Sequence, residues 1–135
     1  MTEVELHGTG LSPEEVQSLV ERAVIGEGTE LKKVSVSFVD EPGMAELNQR
    51  HRGKTGATDV LSYPFDDSFP HGNGGEVIVC QAVVGRLAAA DGRDPRTALR
   101  ETIIHGTLHL LGYTDDTDAD AAEMDRRTRR ILEAA

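Results

Sequence analysis

Two histidines four residues apart, His105 and His109, lie in the otherwise apolar segment HGTLHLLGYTDD. On an α-helix, residues i and i+4 lie one turn apart on the same face, with Cβ atoms about 5–6 Å apart. Two imidazoles in this arrangement can bind one metal ion. On the pair alone, two hydrogen-bonded histidines of a protein core are the better interpretation.

The residues that follow the pair favour a metal site. Gly112 ends the helix three residues after His109, so the chain can turn back. Asp115 then stands ten residues after His105, at the third-donor position of the pattern H-x-x-x-H-x-x-G-x-x-ligand, which resembles the metzincin site. We therefore predict a metal site made of His105, His109 and Asp115.

The aspartates after this turn have a second explanation. Asp115, Asp116 and Asp118 stand near the start of the last predicted helix, where negative charge is favourable because of the helix dipole. We assign this helix-stabilising role to Asp116 and Asp118, and metal binding to Asp115.

The residue after His105 indicates the class of chemistry. Zinc peptidases with the HExxH motif carry a glutamate there as the general base, whereas this chain has Gly106. Peptide hydrolysis is therefore disfavoured, but metal-activated water can also attack a phosphodiester. Glu101, one helical turn before His105, is a candidate base and is equally well explained as a surface residue.

A second segment, LNQRHRGKTGATDVLSYPF, brings Arg50, Arg52 and Lys54 together in a glycine-containing loop. A guanidinium group can form two hydrogen bonds with a phosphate and can stabilise the charge of a transition state. For each residue alone, a solvated basic turn explains the pattern as well. The functional interpretation therefore requires a fold that places these residues beside the metal site.

These two segments, with GEVIVC between them, resemble in order the signature blocks of the YbeY endoribonuclease family of rRNA maturation factors. Those blocks read approximately L-N-x-x-Y-R-x-x-x-x-x-T-D-V-L-S-F-P, G-D-I-x-I and H-G-x-L-H-L-x-G-Y-D-H. The resemblance runs from about Phe38 to the C terminus. This chain departs from it at His51, Tyr63 and Glu76, which are mild changes, at Thr114, where the family has an aspartate, and at Asp115, where the family has its third histidine.

The resemblance implies a zinc-dependent endoribonuclease that cleaves single-stranded RNA in ribosomal RNA maturation and ribosome quality control. Arg52 is the matched catalytic arginine, and the ribosome or its proteins are the implied partners. Asp115 completes a zinc site with an oxygen donor and loosens selectivity toward other divalent ions. Two alternatives remain open: a ribosome-docking protein with weakened activity, and another metal-dependent hydrolase.

The composition limits the partners. Fourteen basic and 24 acidic residues give a net charge of −10 over 135 residues, which disfavours nonspecific binding to DNA or membranes. Cys80 is the single cysteine, so an internal disulfide is excluded, and we expect it on a core strand. The N terminus lacks the pattern of an export signal. We expect a single cytoplasmic domain over residues 1–135.

The first helix has clear boundary signals. Ser12 is the predicted N-cap, Pro13 occupies the first helical position, Glu15 stands where it would complete a capping box, and Gly26 ends the helix. The predicted apolar face consists of Val16, Leu19, Val20, Ala23 and Val24.

Strands and helices alternate along the rest of the chain. LKKVSVSFVD, ATDVLSYPF and GEVIVC predict strands, and DDSFPHGNGG predicts a loop. Asp94 and Pro95 begin a long helix that runs through Leu111 and carries the histidine pair, and a last helix begins near Asp118. We predict an α+β fold, an α/β sandwich in which about five helices pack on a small mixed four-stranded sheet.

Overall fold

The computed structural model describes residues 2–27, 31–65 and 74–133, and these form a mixed sheet of four strands with five α-helices. In chain order the elements are β1 (Glu3–His7), α1 (Pro13–Gly26), β2 (Lys33–Val39), α2 (Glu41–Arg52), β3 (Val60–Pro64), β4 (Gly74–Cys80), α3 (Gln81–Ala90), α4 (Pro95–Leu110) and α5 (Asp118–Glu133). The predicted α+β architecture is confirmed. The predicted loop DDSFPHGNGG lies mostly in residues 66–73, outside the described residues.

The strands lie in the order β1-β2-β4-β3. Strands β1, β2 and β4 are parallel, and β3 pairs antiparallel with β4 at the edge, with Leu61 opposite Ile78. Side chains alternate between the two faces of β4. Val77 therefore belongs to the main hydrophobic core, whereas Ile78 and Cys80 belong to a smaller apolar cluster with Met44 of α2.

Helix α1 forms as its sequence predicts, with one correction. The Ser12 hydroxyl accepts a hydrogen bond from the Glu15 N–H at 3.2 Å, and Pro13 opens the helix. All five predicted apolar residues are buried. The reciprocal half of the capping box was wrong, because the Glu15 carboxylate instead binds Arg96 at 2.6 Å and Arg100 at 3.0 Å, both on α4.

Helix α4 is the central helix of the main core. Its Asp94 N-cap accepts a hydrogen bond from the Thr97 N–H at 2.9 Å. Its side chains Ile103, Ile104 and Leu108 are fully buried, and the helix contacts α1, α3, α5, β3 and β4. Among the described helices, none is long and apolar enough to cross a membrane.

Gly106 is a point of close contact between α4 and the sheet. A Cβ atom there would lie 2.5 Å from Val77 Cγ1 and 3.1 Å from the Ser62 hydroxyl oxygen. That hydroxyl donates a hydrogen bond to the Gly106 carbonyl at 3.0 Å. Because Val77 is fully buried, it has little room to move aside, and any larger residue at position 106 would force the helix or the strand to shift.

We predict that Gly106→Ala destabilises the protein. Overpacking costs about 1–3 kcal/mol, whereas the better helix propensity of alanine returns at most about 1 kcal/mol. Gly85→Ala on α3 is the matched control, because nothing lies within 4 Å of the Cβ atom it would add. Urea unfolding should show a lower free energy of unfolding for Gly106→Ala and an equal or higher one for Gly85→Ala. Equal stability of both variants would contradict the packing argument.

Candidate metal centre

The three residues predicted to bind a metal converge in space. His105 and His109 lie on one face of α4, with ring centroids 4.9 Å apart. The Asp115 Oδ2 atom lies 3.7 Å from His105 Nε2 and 3.8 Å from His109 Nε2. All three donor atoms lie within 4.8 Å of one another. The carboxylate distances exceed hydrogen-bond range, so the atoms surround a common point without bonding to one another.

This arrangement is somewhat wider than an occupied zinc site. Zinc–nitrogen and zinc–oxygen bonds of about 2.1 Å in tetrahedral geometry place donor atoms about 3.4 Å apart, whereas the two carboxylate–imidazole distances here are 3.7 Å and 3.8 Å and all three donors lie within 4.8 Å. Binding of an ion would therefore draw the three side chains closer together. Burial and the neighbouring His109 lower the pKa of His105, and this effect outweighs the opposing charges of Asp115 and Asp59. The neutral imidazole, which is the form that binds zinc, is therefore favoured at neutral pH.

The turn after α4 carries Asp115 back toward the histidines. Gly112 adopts a φ of +104°, which glycine tolerates best. Its N–H donates to the His109 carbonyl at 3.0 Å, and the Tyr113 N–H donates to the Leu108 carbonyl at 3.1 Å. These bonds end the helix at the glycine that the sequence indicated.

A backbone carbonyl in this turn sets the tautomer of His109. His109 Nδ1 lies 2.9 Å from the Tyr113 carbonyl oxygen, which can only accept a hydrogen bond. Nδ1 must therefore carry a proton, and in a neutral ring the lone pair is then on Nε2, 3.8 Å from Asp115 Oδ2. A second hydrogen bond of this kind orients most metal-binding histidines. No sequence pattern indicates this contact, because it joins a side chain to the backbone of a turn.

Tyr113 is in turn fixed by two other helices. Its hydroxyl donates to Glu27, at the end of α1, and this hydrogen bond raises the pKa of Tyr113. Arg127 of α5 donates to the same Glu27 carboxylate at 2.6 Å and lies 4.7 Å from the centre of the Tyr113 ring. The Glu27 side chain is only 8% exposed, which strengthens these contacts.

The three donor atoms line an open cleft of about 590 Å³ between the end of α4 and strand β3. We call it the His–Asp cleft. Its other lining residues are Arg52, Thr58, Asp59, Val60, Leu61, Ser62, Tyr63, Gly112, Tyr113 and Thr114. The structure thus brings the predicted arginine and the three predicted metal ligands to the same cleft.

The other two basic residues do not line this cleft. Arg50 binds Glu46 on its own helix, and Lys54 is exposed beyond the end of α2. The expected basic groove is therefore reduced to Arg52. Gly53 caps α2 with a φ of +64°, and the buried Asn48 side chain donates to the Gly56 carbonyl at 2.8 Å. These contacts fix the loop that follows Arg52.

The carboxylate that lines the His–Asp cleft beside the metal-type residues is Asp59, not the Glu101 that the sequence suggested. Glu101, the candidate base, binds Arg93 and does not line the His–Asp cleft; it lines an adjacent cavity of about 240 Å³ that His105 also lines. Asp59, which the sequence analysis did not single out, lines both this cavity and the His–Asp cleft. Its carboxylate accepts a hydrogen bond from the Val60 N–H at 2.9 Å. Only a three-dimensional arrangement could reveal it, since Asp59 is distant in sequence from His105.

The start of α5 agrees with the role assigned to its aspartates. The Thr117 hydroxyl accepts a hydrogen bond from the Asp120 N–H at 3.1 Å, and Asp118 lies in the first turn. Asp116 is exposed just before this turn. Neither Asp116 nor Asp118 lines the His–Asp cleft.

Comparison with known proteins identifies the family. Residues 5–135 match the family model described as Endoribonuclease YbeY. The Endoribonuclease YbeY of Methylococcus capsulatus is 38% identical over 102 residues, 74% of this chain and 68% of that protein. That of Chelativorans sp. is 36% identical over 128 residues, 88% of this chain and 78% of that protein.

A solved structure supports the same assignment. The solution structure of TM1509 from Thermotoga maritima aligns with a TM-score of 0.66 at 30% identity, covering 96% of this chain and 87% of that one. The fold, the order of the signature segments and the family match agree along nearly the whole chain. The chain therefore belongs to the endoribonuclease YbeY family.

Proposed function

We propose that this protein is a zinc-dependent endoribonuclease that cleaves single-stranded RNA during ribosomal RNA maturation and ribosome quality control. One observation carries the proposal. In a chain of this family, three metal-type donor atoms within 4.8 Å of one another share a cleft with an exposed arginine. The arrangement has the components that phosphodiester hydrolysis requires: a Lewis-acid site and a cation that can bind phosphate.

His105, His109 and Asp115 are the proposed zinc ligands. A zinc ion bound there would act as a Lewis acid and lower the pKa of a coordinated water. The three residues supply two neutral nitrogens and one anionic oxygen, a combination that suits zinc. Since one donor is an oxygen, the site also admits other divalent ions.

Arg52 is the proposed catalytic residue for the phosphate. None of the described carboxylates lies within ion-pair distance of its guanidinium. The group is thus available to donate hydrogen bonds to the non-bridging oxygens of a phosphodiester. Charge on these oxygens rises as water or a 2′-hydroxyl forms a bond to phosphorus and the leaving oxygen departs. A fixed guanidinium stabilises that transition state.

The proposed partners follow from the charge balance. With a net charge of −10 and one arginine in the cleft, the long-range field repels RNA. We propose that the ribosome or a ribosomal protein holds the enzyme near its substrate, because such docking raises the effective RNA concentration. Cleavage of free RNA should accordingly be weak and sensitive to salt.

The peptidase alternative is disfavoured by the position of Gly106. At the place of the peptidase glutamate, the helix lies against Val77 and Ser62, and even a Cβ atom would lie 2.5 Å from Val77 Cγ1. The docking alternative, in which the protein binds metal and ribosome without turnover, differs from the proposal in RNA cleavage alone.

We predict that cleavage of single-stranded RNA depends on the metal. Complete metal removal with a chelator should abolish cleavage, and added zinc should restore it. Asp115→Ala should lower the zinc content sharply, whereas Asp116→Ala should not, since Asp116 lies outside the cleft. Asp115→His should preserve or tighten zinc binding. Zinc content is measured by elemental analysis, and cleavage on a labelled oligonucleotide.

Two outcomes would contradict this proposal. Undiminished cleavage by fully metal-free protein would exclude a metal-dependent mechanism. Stoichiometric zinc without RNA cleavage, either on free RNA or on ribosomes, would favour the docking alternative.

We further predict that Arg52→Ala lowers kcat by about 10²–10³-fold, the usual effect of removing one charge-stabilising donor. Its zinc content should stay near that of the wild type. Arg52→Lys should recover activity only in part, because an ammonium cannot form two parallel hydrogen bonds with a phosphate. Arg50→Ala is the matched control, since Arg50 binds Glu46 outside the cleft. Equal kcat losses in both arginine-to-alanine variants would count against a specific role for Arg52.

A further inference from the structure

We propose that His51 and Tyr63 form a stacking site for a nucleobase of the RNA, next to the phosphate bound by Arg52. The inference rests on the proposed function and adds a subsite for substrate recognition. It concerns two aromatic side chains that the metal chemistry does not use.

The two rings already form a pair across two elements. His51 lies in the last turn of α2, and Tyr63 lies on the edge strand β3. Their ring centroids are 4.7 Å apart, with planes inclined by 41°. His51 is exposed, as the sequence analysis expected for an isolated histidine, whereas Tyr63 is partly buried. A solvent-facing ring supported from below by a second ring is a suitable surface for stacking.

Tyr63 connects this pair to the His–Asp cleft. It lines the cleft together with Arg52, His105 and Asp115. Its hydroxyl oxygen is buried and has no hydrogen-bond partner among the described residues. The side-chain surface that Tyr63 offers to a ligand is therefore its ring.

The aromatic pair and Arg52 together could bind the base and the phosphate of a nucleotide. His51 and Arg52 are consecutive at the end of α2, and the Arg52 charge acts on Tyr63, where it opposes the rise in pKa caused by burial. Arg52 and Tyr63 line the same cleft, and the His51 ring packs against Tyr63, so Tyr63 connects the guanidinium group with the aromatic pair. Single-stranded RNA presents the same two groups, an unstacked base and its phosphate.

Stacking also explains how a protein of negative net charge could bind RNA. A base binds an aromatic ring through dispersion and desolvation, and this contribution neither needs positive charge nor weakens strongly in salt. Every base has a flat face, so the contact tolerates different sequences while excluding paired RNA, whose bases are already stacked. The pair would therefore supply affinity that a chain of net charge −10 cannot obtain from its field.

The experiment compares His51→Ala, His51→Leu and His51→Tyr in the full-length, zinc-loaded protein. The matched control is His7→Ala, because His7 is exposed on β1, at the opposite edge of the sheet. The probe is a short single-stranded RNA with 2-aminopurine at successive positions, since its fluorescence falls when the base stacks. KM, kcat, zinc content and fluorescence are measured for each variant.

We expect His51→Ala and His51→Leu to raise KM and the dissociation constant about 5- to 150-fold, the range for loss of one stacked base. Fluorescence quenching at one position should be lost, whereas kcat and zinc content should change little. His51→Tyr and His7→Ala should resemble the wild type. If His51 had only a structural role, His51→Tyr and His51→Leu would not differ in the quenching of the 2-aminopurine fluorescence.

The outcomes separate this inference from the proposed function. If the wild type cleaves RNA and His51→Ala retains its KM and quenching, the stacking site is excluded and the nuclease proposal stands. If the zinc-loaded wild type cleaves no RNA but its binding depends on an aromatic residue at position 51, the stacking site stands and the nuclease proposal fails.

Discussion

Helix α4 contacts the sheet at Gly106, where Val77 leaves no room for a Cβ atom. This contact fixes the rotation of the helix about its axis, because the Ser62 hydroxyl also binds the Gly106 carbonyl. His105 and His109 therefore face the edge of the sheet at β3, where the cleft opens. The residue that excludes a peptidase base is thus the same one that orients the two imidazoles.

The third donor depends on a different set of contacts. Asp115 follows the turn at Gly112 and Tyr113, which Glu27 connects to the end of α1 and Arg127 connects to the middle of α5. None of these contacts needs a metal ion to form. The donor atoms are therefore brought together by folding, and metal binding would have little ordering of the chain to offset. A site built in this way suits a functional ion in a protein whose core already provides stability.

The sequence predicted those features of the fold and site that depend on short local patterns of residues. The i and i+4 spacing of the histidines and the helix-ending glycine fix the site within a dozen residues, and apolar periodicity located α1 together with its buried face. The contacts that it missed are long-range. The Glu15 carboxylate binds α4 rather than its own helix, and Asp59 reaches the cleft from the residue just before β3. Such contacts depend on strand order and helix packing, which no short pattern of residues encodes.

Ion pairs elsewhere on the surface determine which positive charge is available in the His–Asp cleft. Seven of the described arginines pair with a carboxylate: Arg93 in the loop before α4, and six on helices, namely Arg50, Arg86, Arg96, Arg100, Arg126 and Arg127. These pairs cancel positive charge at the surface and leave Arg52 as the cation of the His–Asp cleft. A divalent ion beside one carboxylate would add a net positive charge next to it. The proposed metal would then contribute to phosphate binding as well as to chemistry, while the aromatic pair at its edge adds affinity that charge alone cannot provide.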